Sequence, residues 1–125
     1  MSVVGRALVL TDGLSLWGGM DPATGELIDV HHPQRGANLA GRVVVIPNAR
    51  GSSSSASVLA EAVRAATAPA AILLGEPDLI LTIGSAVAEE LYGLTVPVIV
   101  LPPAELDAIL DGAEVRIGPV GVRTA

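Results

Sequence analysis

The chain contains no cysteine, so it has no disulfide, no thiolate-held zinc and no iron–sulfur cluster ligated by its own thiolates. Lysine is absent too: arginine supplies all 7 cations against 13 acidic residues, for a formal net charge of −6. That balance leaves no basic surplus to neutralise phosphates, which argues against a nucleic-acid or anionic-membrane partner. A small anionic substrate needs only one or two arginines. There is no Phe, one Trp and one Tyr. Val, Ile, Leu and Ala must therefore fill the core, a composition suited to β-branched strands packed on Ala-rich helices. The apolar runs are far shorter than a bilayer span, and "MSVVGRALVL" lacks the charged-then-apolar layout of a secretory signal. The expectation is a cytoplasmic protein.

What is present suffices for one domain over residues 1–125: half of the 125 residues are hydrophobic. "RALVL" (6–10) and "RVVVIP" (42–47) are β-branched runs stopped by turn chemistry and read as buried strands. Between them, residues 11–41 are rich in Gly, Asp and Pro. There "DPATGELIDV" predicts a turn at Pro22 to Gly25 and a short strand around 26–30. Helical spacing begins at Ser53 and runs to Thr67, with Val58, Leu59, Ala62, Val63 and Ala66 on one face. "AAILLG" (70–75) and "LILTIG" (79–84) read as a strand pair or a strand and turn. "SAVAEELYG" (85–93) follows as a short helix with Gly93 as its C-terminal cap. "VPVIVLP" (96–102) is a strand, "AELDAIL" (104–110) a helical turn or two, and "AEVRIGPVGV" (113–122) a final interrupted strand. Helices recurring between the later strands predict an α/β domain with a mixed, partly parallel sheet.

Three stretches are candidates for function. "NARGSSSSASVLAEAV" (48–63) joins a buried strand directly to an amphipathic helix, where connections are short and ordered, so it is no flexible linker. Backbone N–H groups at a helix start favour anions, and Arg50-Gly51 adds charge and close approach. No Walker or dinucleotide pattern accompanies them. Serines here either cap the helix or offer a hydroxyl whose alkoxide is stabilised by the helix dipole and Arg50. A His and Asp partnership for acyl transfer is not recognisable, so a triad has little support; a stabilised alkoxide could instead act as a base. "SLWGGMDPATG" (15–25) reads as a loop anchored by a buried indole or as a direct substrate contact. In "DVHHP" (29–33), His31 and His32 cannot both face one side of a strand. One is expected to be a hydrogen-bonded structural residue, and no third ligand suggests a metal site.

Taken together, "LSLWGGMDPATGELIDVHHPQRGANLAGRVVVIPNARGSSSSASVLAEAV", "APAAILLGEPDLILTIGSAVAEEL" and "VPVIVL" closely resemble the small, swivelling domain of the aconitase X family. The combination of S-x-W-G-G-x-D-P-x-T-G, H-H-P and R-G-S-S carries the likeness over nearly the whole chain. The resemblance implies a single swivelling β/β/α domain that serves as the small subunit of a heteromeric hydro-lyase, active only with a large subunit. It implies that this large subunit holds an iron–sulfur cluster, and that Ser52 is the proton acceptor. Arg50, Gly51 and Ser53 then become substrate-binding residues, with Arg50 either activating Ser52 or gripping a substrate carboxylate, and with Ser53 and Ser54 capping the helix or contacting substrate. Substrates in the family include cis-3-hydroxy-L-proline and mevalonate 5-phosphate, which is dehydrated to anhydromevalonate phosphate. The Ala-, Arg- and Val-rich, Lys-free composition is more typical of a high-GC bacterium than of an archaeon and favours the first. From a different class, the chain is read as a non-catalytic scaffold or regulatory module acting through residues 11–41.

Overall fold

The computed structural model describes residues 2–49 and 53–124. Its centre is a six-stranded mixed sheet in the order β4-β3-β2-β1-β5-β6. Strands β1 (Val3–Val9), β2 (Val43–Ile46), β3 (Ala71–Leu74) and β4 (Val98–Val100) run parallel. β5 (Glu114–Gly118) lies antiparallel to β1, and β6 (Gly121–Thr124) folds back on β5. The expected mixed, partly parallel sheet is the one observed.

All four residues of β2 and all four of β3 are buried, as parallel strands covered on both faces require. One face packs Val44, Ile46, Ile72 and Leu74 against helix α1 (Ser54–Arg64), helix α2 (Leu79–Tyr92) and the 10–42 loop. The other packs Val43, Val45, Ala71 and Leu73 beneath Leu106 of the short helix α3 (Pro103–Asp107), Ile109, and Val115 and Ile117 of β5. With so few aromatics, close packing depends on small residues. A Cβ at Gly84 of α2 would stand 2.9 Å from Ala56 Cα of α1, so glycine there lets the two helices touch backbone to backbone.

Several elements differ from the sequence reading. "LILTIG" is the first half of α2, a 14-residue helix, and not a strand. The Asp78 carboxylate accepts the Leu81 N–H at 2.8 Å and starts the helix, after which Leu81, Gly84 and Ala88 face the core. Local β-branched character is overridden by that cap and by a buried stripe at helical spacing. Gly93 ends α2 in the left-handed conformation expected of it. The strand expected at 26–30 shrinks to isolated bridges, Met20 to Leu27 and Glu26 to Asn38. Residues 113–122 contain a hairpin turn, so the final strand is two. Helix α1 ends at Arg64, ahead of Pro69, and its buried face is Ser55, Leu59, Ala62 and Val63.

The end of α1 is closed by Thr67 N–H donating to Ala62 O at 2.9 Å and Ala66 N–H donating to Val63 O at 3.1 Å. This places Ala66, exposed, at φ 61°, where a Cβ is costly and glycine is favoured. Ala66→Gly is expected to stabilise the domain by about 0.5–1 kcal/mol. Urea unfolding will show this as a raised midpoint at constant m.

Candidate active site

In an open parallel sheet the connections leaving the carboxyl ends of the strands gather at one edge, where ligands bind. Here that edge collects the loop after β1, the segment joining β2 to α1, and the turn into α2. Arg50, Gly51 and Ser52 lie outside the described residues; the chain on either side of them is described. Before them, Leu14 N–H donates to Asn48 O at 3.3 Å, and Leu14 bridges Ala49 in parallel register. After them, Ser53 is exposed at the start of α1 with φ −58° and ψ −26°, already helical, and its side chain makes no capping hydrogen bond. The serine expected to cap the helix thus does not do so at this position. An N-terminal capping side chain needs an extended backbone to reach back, and Ser53 lacks one.

Ser55 is the residue that sequence reasoning missed. It is buried on the core face of α1, and its Oγ accepts the Trp17 N–H at 3.2 Å while lying 3.3 Å from Ser15 Oγ. One hydroxyl therefore ties the S-x-W-G-G loop to the first turn of the helix that follows Ser52. The signal was present in the spacing of Ser55, Leu59, Ala62 and Val63, which share one helical face. A polar residue at the head of an apolar stripe must find partners when buried.

Trp17 itself is 59% exposed, which corrects the expectation of a buried indole. The loop is instead anchored by Leu14, Leu16 and Met20, each nearly inaccessible. Gly19 permits this fold-back, since a Cβ there would meet Ser15 O at 2.0 Å. The indole is thus presented outward from a rigid base, with its backbone held next to the α1 start.

The histidines divide as anticipated. His31 is exposed; His32 is buried, its Nδ1 accepting the Gln34 N–H at 3.0 Å and its Nε2 lying 3.2 Å from Asp12 O. With Nδ1 as acceptor, Nε2 carries the proton and donates to that carbonyl. Gln34 extends the clasp: its side chain accepts from Thr11 N–H at 2.8 Å and donates to Val9 O at 2.9 Å. The H-H-P-Q stretch therefore fastens the 29–36 turn to the exit of β1. Among the described residues no three His, Asp or Glu side chains gather as a metal site. On the solvent side of α1, Arg64 hydrogen-bonds Glu61 and holds its carboxyl below the usual carboxylate range. That pair stands about two helical turns from Ser53.

Comparison with known proteins gives a consistent set of relatives. The family model described as the aconitase X swivel domain matches residues 1–122. The chain is 52% identical over 97 residues to a cis-3-hydroxy-L-proline dehydratase of Pseudomonas aeruginosa, covering 78% of this chain and 17% of that protein. It therefore spans about a sixth of the length of that relative. A phosphomevalonate dehydratase small subunit of Methanothermobacter thermautotrophicus is 35% identical over 114 residues, covering 90% of this chain and 82% of that one. Among solved structures, Thermococcus kodakaraensis aconitase X in its holo form superposes with a TM-score of 0.85 at 26% identity, over 100% of this chain and 91% of that one.

Ser55→Ala leaves the Trp17 N–H without its partner and is expected to destabilise the domain by about 1–2 kcal/mol. Trp17 is the sole tryptophan, so its emission anisotropy will fall as the loop loosens. Ser53→Ala, at an exposed position without a capping bond, should change stability by less than about 0.5 kcal/mol.

Proposed function

The chain belongs to the aconitase X swivel-domain family, and on that premise we propose that it is the small, swivelling part of a heteromeric hydro-lyase. In this reading it works with a large catalytic subunit to dehydrate a hydroxylated carboxylic acid, cis-3-hydroxy-L-proline before mevalonate 5-phosphate. The carrying observation is the described chain on either side of the R-G-S-S motif's Arg50 to Ser52. Before them it leaves the buried central strand β2 at the sheet's carboxyl edge, and from Ser53 it continues into an eleven-residue helix whose first turn is tied to the Trp17 loop. The choice of substrate is supported by the 52% identity to the Pseudomonas aeruginosa dehydratase, against 35% to the phosphomevalonate dehydratase small subunit.

Ser52 acts as the base. Its alkoxide takes the proton from the carbon bearing the carboxylate, the C–H electron pair forms the ring double bond, and the C–O bond to the neighbouring hydroxyl breaks to release hydroxide. The enamine product, a pyrroline-2-carboxylate, then tautomerises. A hydroxyl is a poor base at neutral pH unless its anion is favoured, and the N-terminus of α1 together with Arg50 supplies the positive potential. Arg50 either serves this purpose or holds the substrate carboxylate beside Gly51 and Ser53. The family's iron–sulfur cluster does not fit this chain. It has no cysteine, and no metal-binding cluster of His, Asp and Glu is found among the described residues. The cluster is assigned to the large subunit, and this chain contributes the base and substrate contacts. Bringing two parts together over a bound substrate excludes water and sets the geometry of proton removal. Among the described residues no helix is long and apolar enough to cross a membrane.

The test is reconstitution with the large subunit and assay of both substrates. Ser52→Ala is expected to lower kcat by about 10²–10⁴-fold while complex formation and KM change little. Full activity in that variant would remove Ser52 from the mechanism. Turnover of mevalonate 5-phosphate alone would reverse the substrate order.

A further inference from the structure

Helix α2 buries only the stripe Leu81, Gly84 and Ala88, yet much of its outer surface is also apolar. Leu79, Ile83, Val87 and Leu91 are all exposed, Leu79 at 72% and Leu91 at 63%. They recur every fourth residue and so form one continuous stripe along the helix. Tyr92, the last residue of α2, and Leu94 just beyond it are exposed as well. A groove of about 260 Å³ lies between α1 and α2, lined by Ala56, Ser57, Ala60 and Glu61 of α1 and by Val87 and Tyr92 of α2. The close approach of Gly84 to Ala56 brings the two helices together beside it. A surface helix of a free-standing domain carries polar residues on this face. A contiguous apolar patch of this kind marks a site of protein contact.

We infer that the outer face of α2, with the α1–α2 groove, is the surface on which the large catalytic subunit seats. The inference rests on the function proposed above and names where the partner binds. Two observations select this occupant. Ala56 lies in the first turn of α1, and the R-G-S-S segment directly precedes that turn in the chain, so the groove begins at the helix start that follows the proposed base. In addition, the dehydratase 52% identical to this chain matches it over only 17% of its own length, so there the domain sits within a far larger molecule. The apolar character of the stripe also suits a lasting interface, since obligate contacts resemble a core cut in half. The N-terminal end of α2 shares the carboxyl edge of the sheet with the start of α1.

The experiment measures binding of the full chain to the large subunit by calorimetry, with wild type, Ile83→Glu, Leu91→Glu and the control Val120→Glu. Val120 is 80% exposed in the turn between β5 and β6, away from α2, and tests whether any added charge is disruptive. Ile83→Glu and Leu91→Glu are each expected to weaken binding about 30-fold or more, as substitutions at the centre of an interface do. Val120→Glu should remain within about twofold of wild type. Thermal unfolding of each free variant checks that the fold is retained, as expected for exposed positions. Unchanged binding by both α2 variants overturns the inference and leaves the proposed function standing. Light scattering showing that the same stripe joins two copies of this chain, with large-subunit binding intact in both variants, overturns it as well. A wild-type chain that fails to bind the large subunit removes the partner reading itself, and this inference with it.

Discussion

Two-sided burial of the central parallel strands is the constraint on which the rest of the structure depends. β2 and β3 have no residue facing water, so 125 residues must supply cover for both faces of the sheet. One face receives two helices and the long loop after β1; the other receives α3 and the hairpin-bearing C-terminal strands. Because β4 is at one edge and β5 beside β1, the chain must cross the sheet between them, and α3 lies on that crossing. The core is built almost without aromatics, so tight helix contact through Gly84 and Ala56 substitutes for large side chains.

The site follows from that arrangement. A buried parallel strand has to deliver its chain at the carboxyl edge, and the next element is a helix whose N-terminus carries positive potential. The loop after β1 is tied to this helix by the buried hydroxyl of Ser55, and to the exit of β1 by His32 and Gln34. These are short polar clasps inside an otherwise aliphatic domain. They hold in place a segment of Gly, Asp and Pro that has little regular structure of its own. The motifs S-x-W-G-G and H-H-P-Q therefore look like chemistry in the sequence and serve largely as carpentry in the structure, with the exposed Trp17 indole as the part turned outward.

Parts of this were legible before any coordinates. The strands at 6–10 and 42–47, the left-handed Gly93 and the structural role of one histidine all follow from local patterns with one physical reading. "LILTIG" did not, because β-branched character and a helical stripe compete there, and only the Asp78 cap decides between them. The serine run was legible only in part. Its composition suggests helix capping, yet Ser53 has a helical backbone and makes no capping bond, and Ser55 turns inward. Arg50, Gly51 and Ser52 rest on the family resemblance and on the described residues at either side.

Sequence by itself determined the class of the domain and the family it belongs to. The absence of cysteine excludes its own iron–sulfur ligands, the alternation of elements sets a mixed sheet, and the motif combination identifies the family. Tertiary structure alone decided which polar residues are clasps and which apolar residues are left exposed. Period and propensity state that a helix has a buried face, but not whether a second apolar stripe will find cover within the same chain. In α2 it does not, because the sheet can be covered on only one side of that helix, and Leu79, Ile83, Val87 and Leu91 remain on the other.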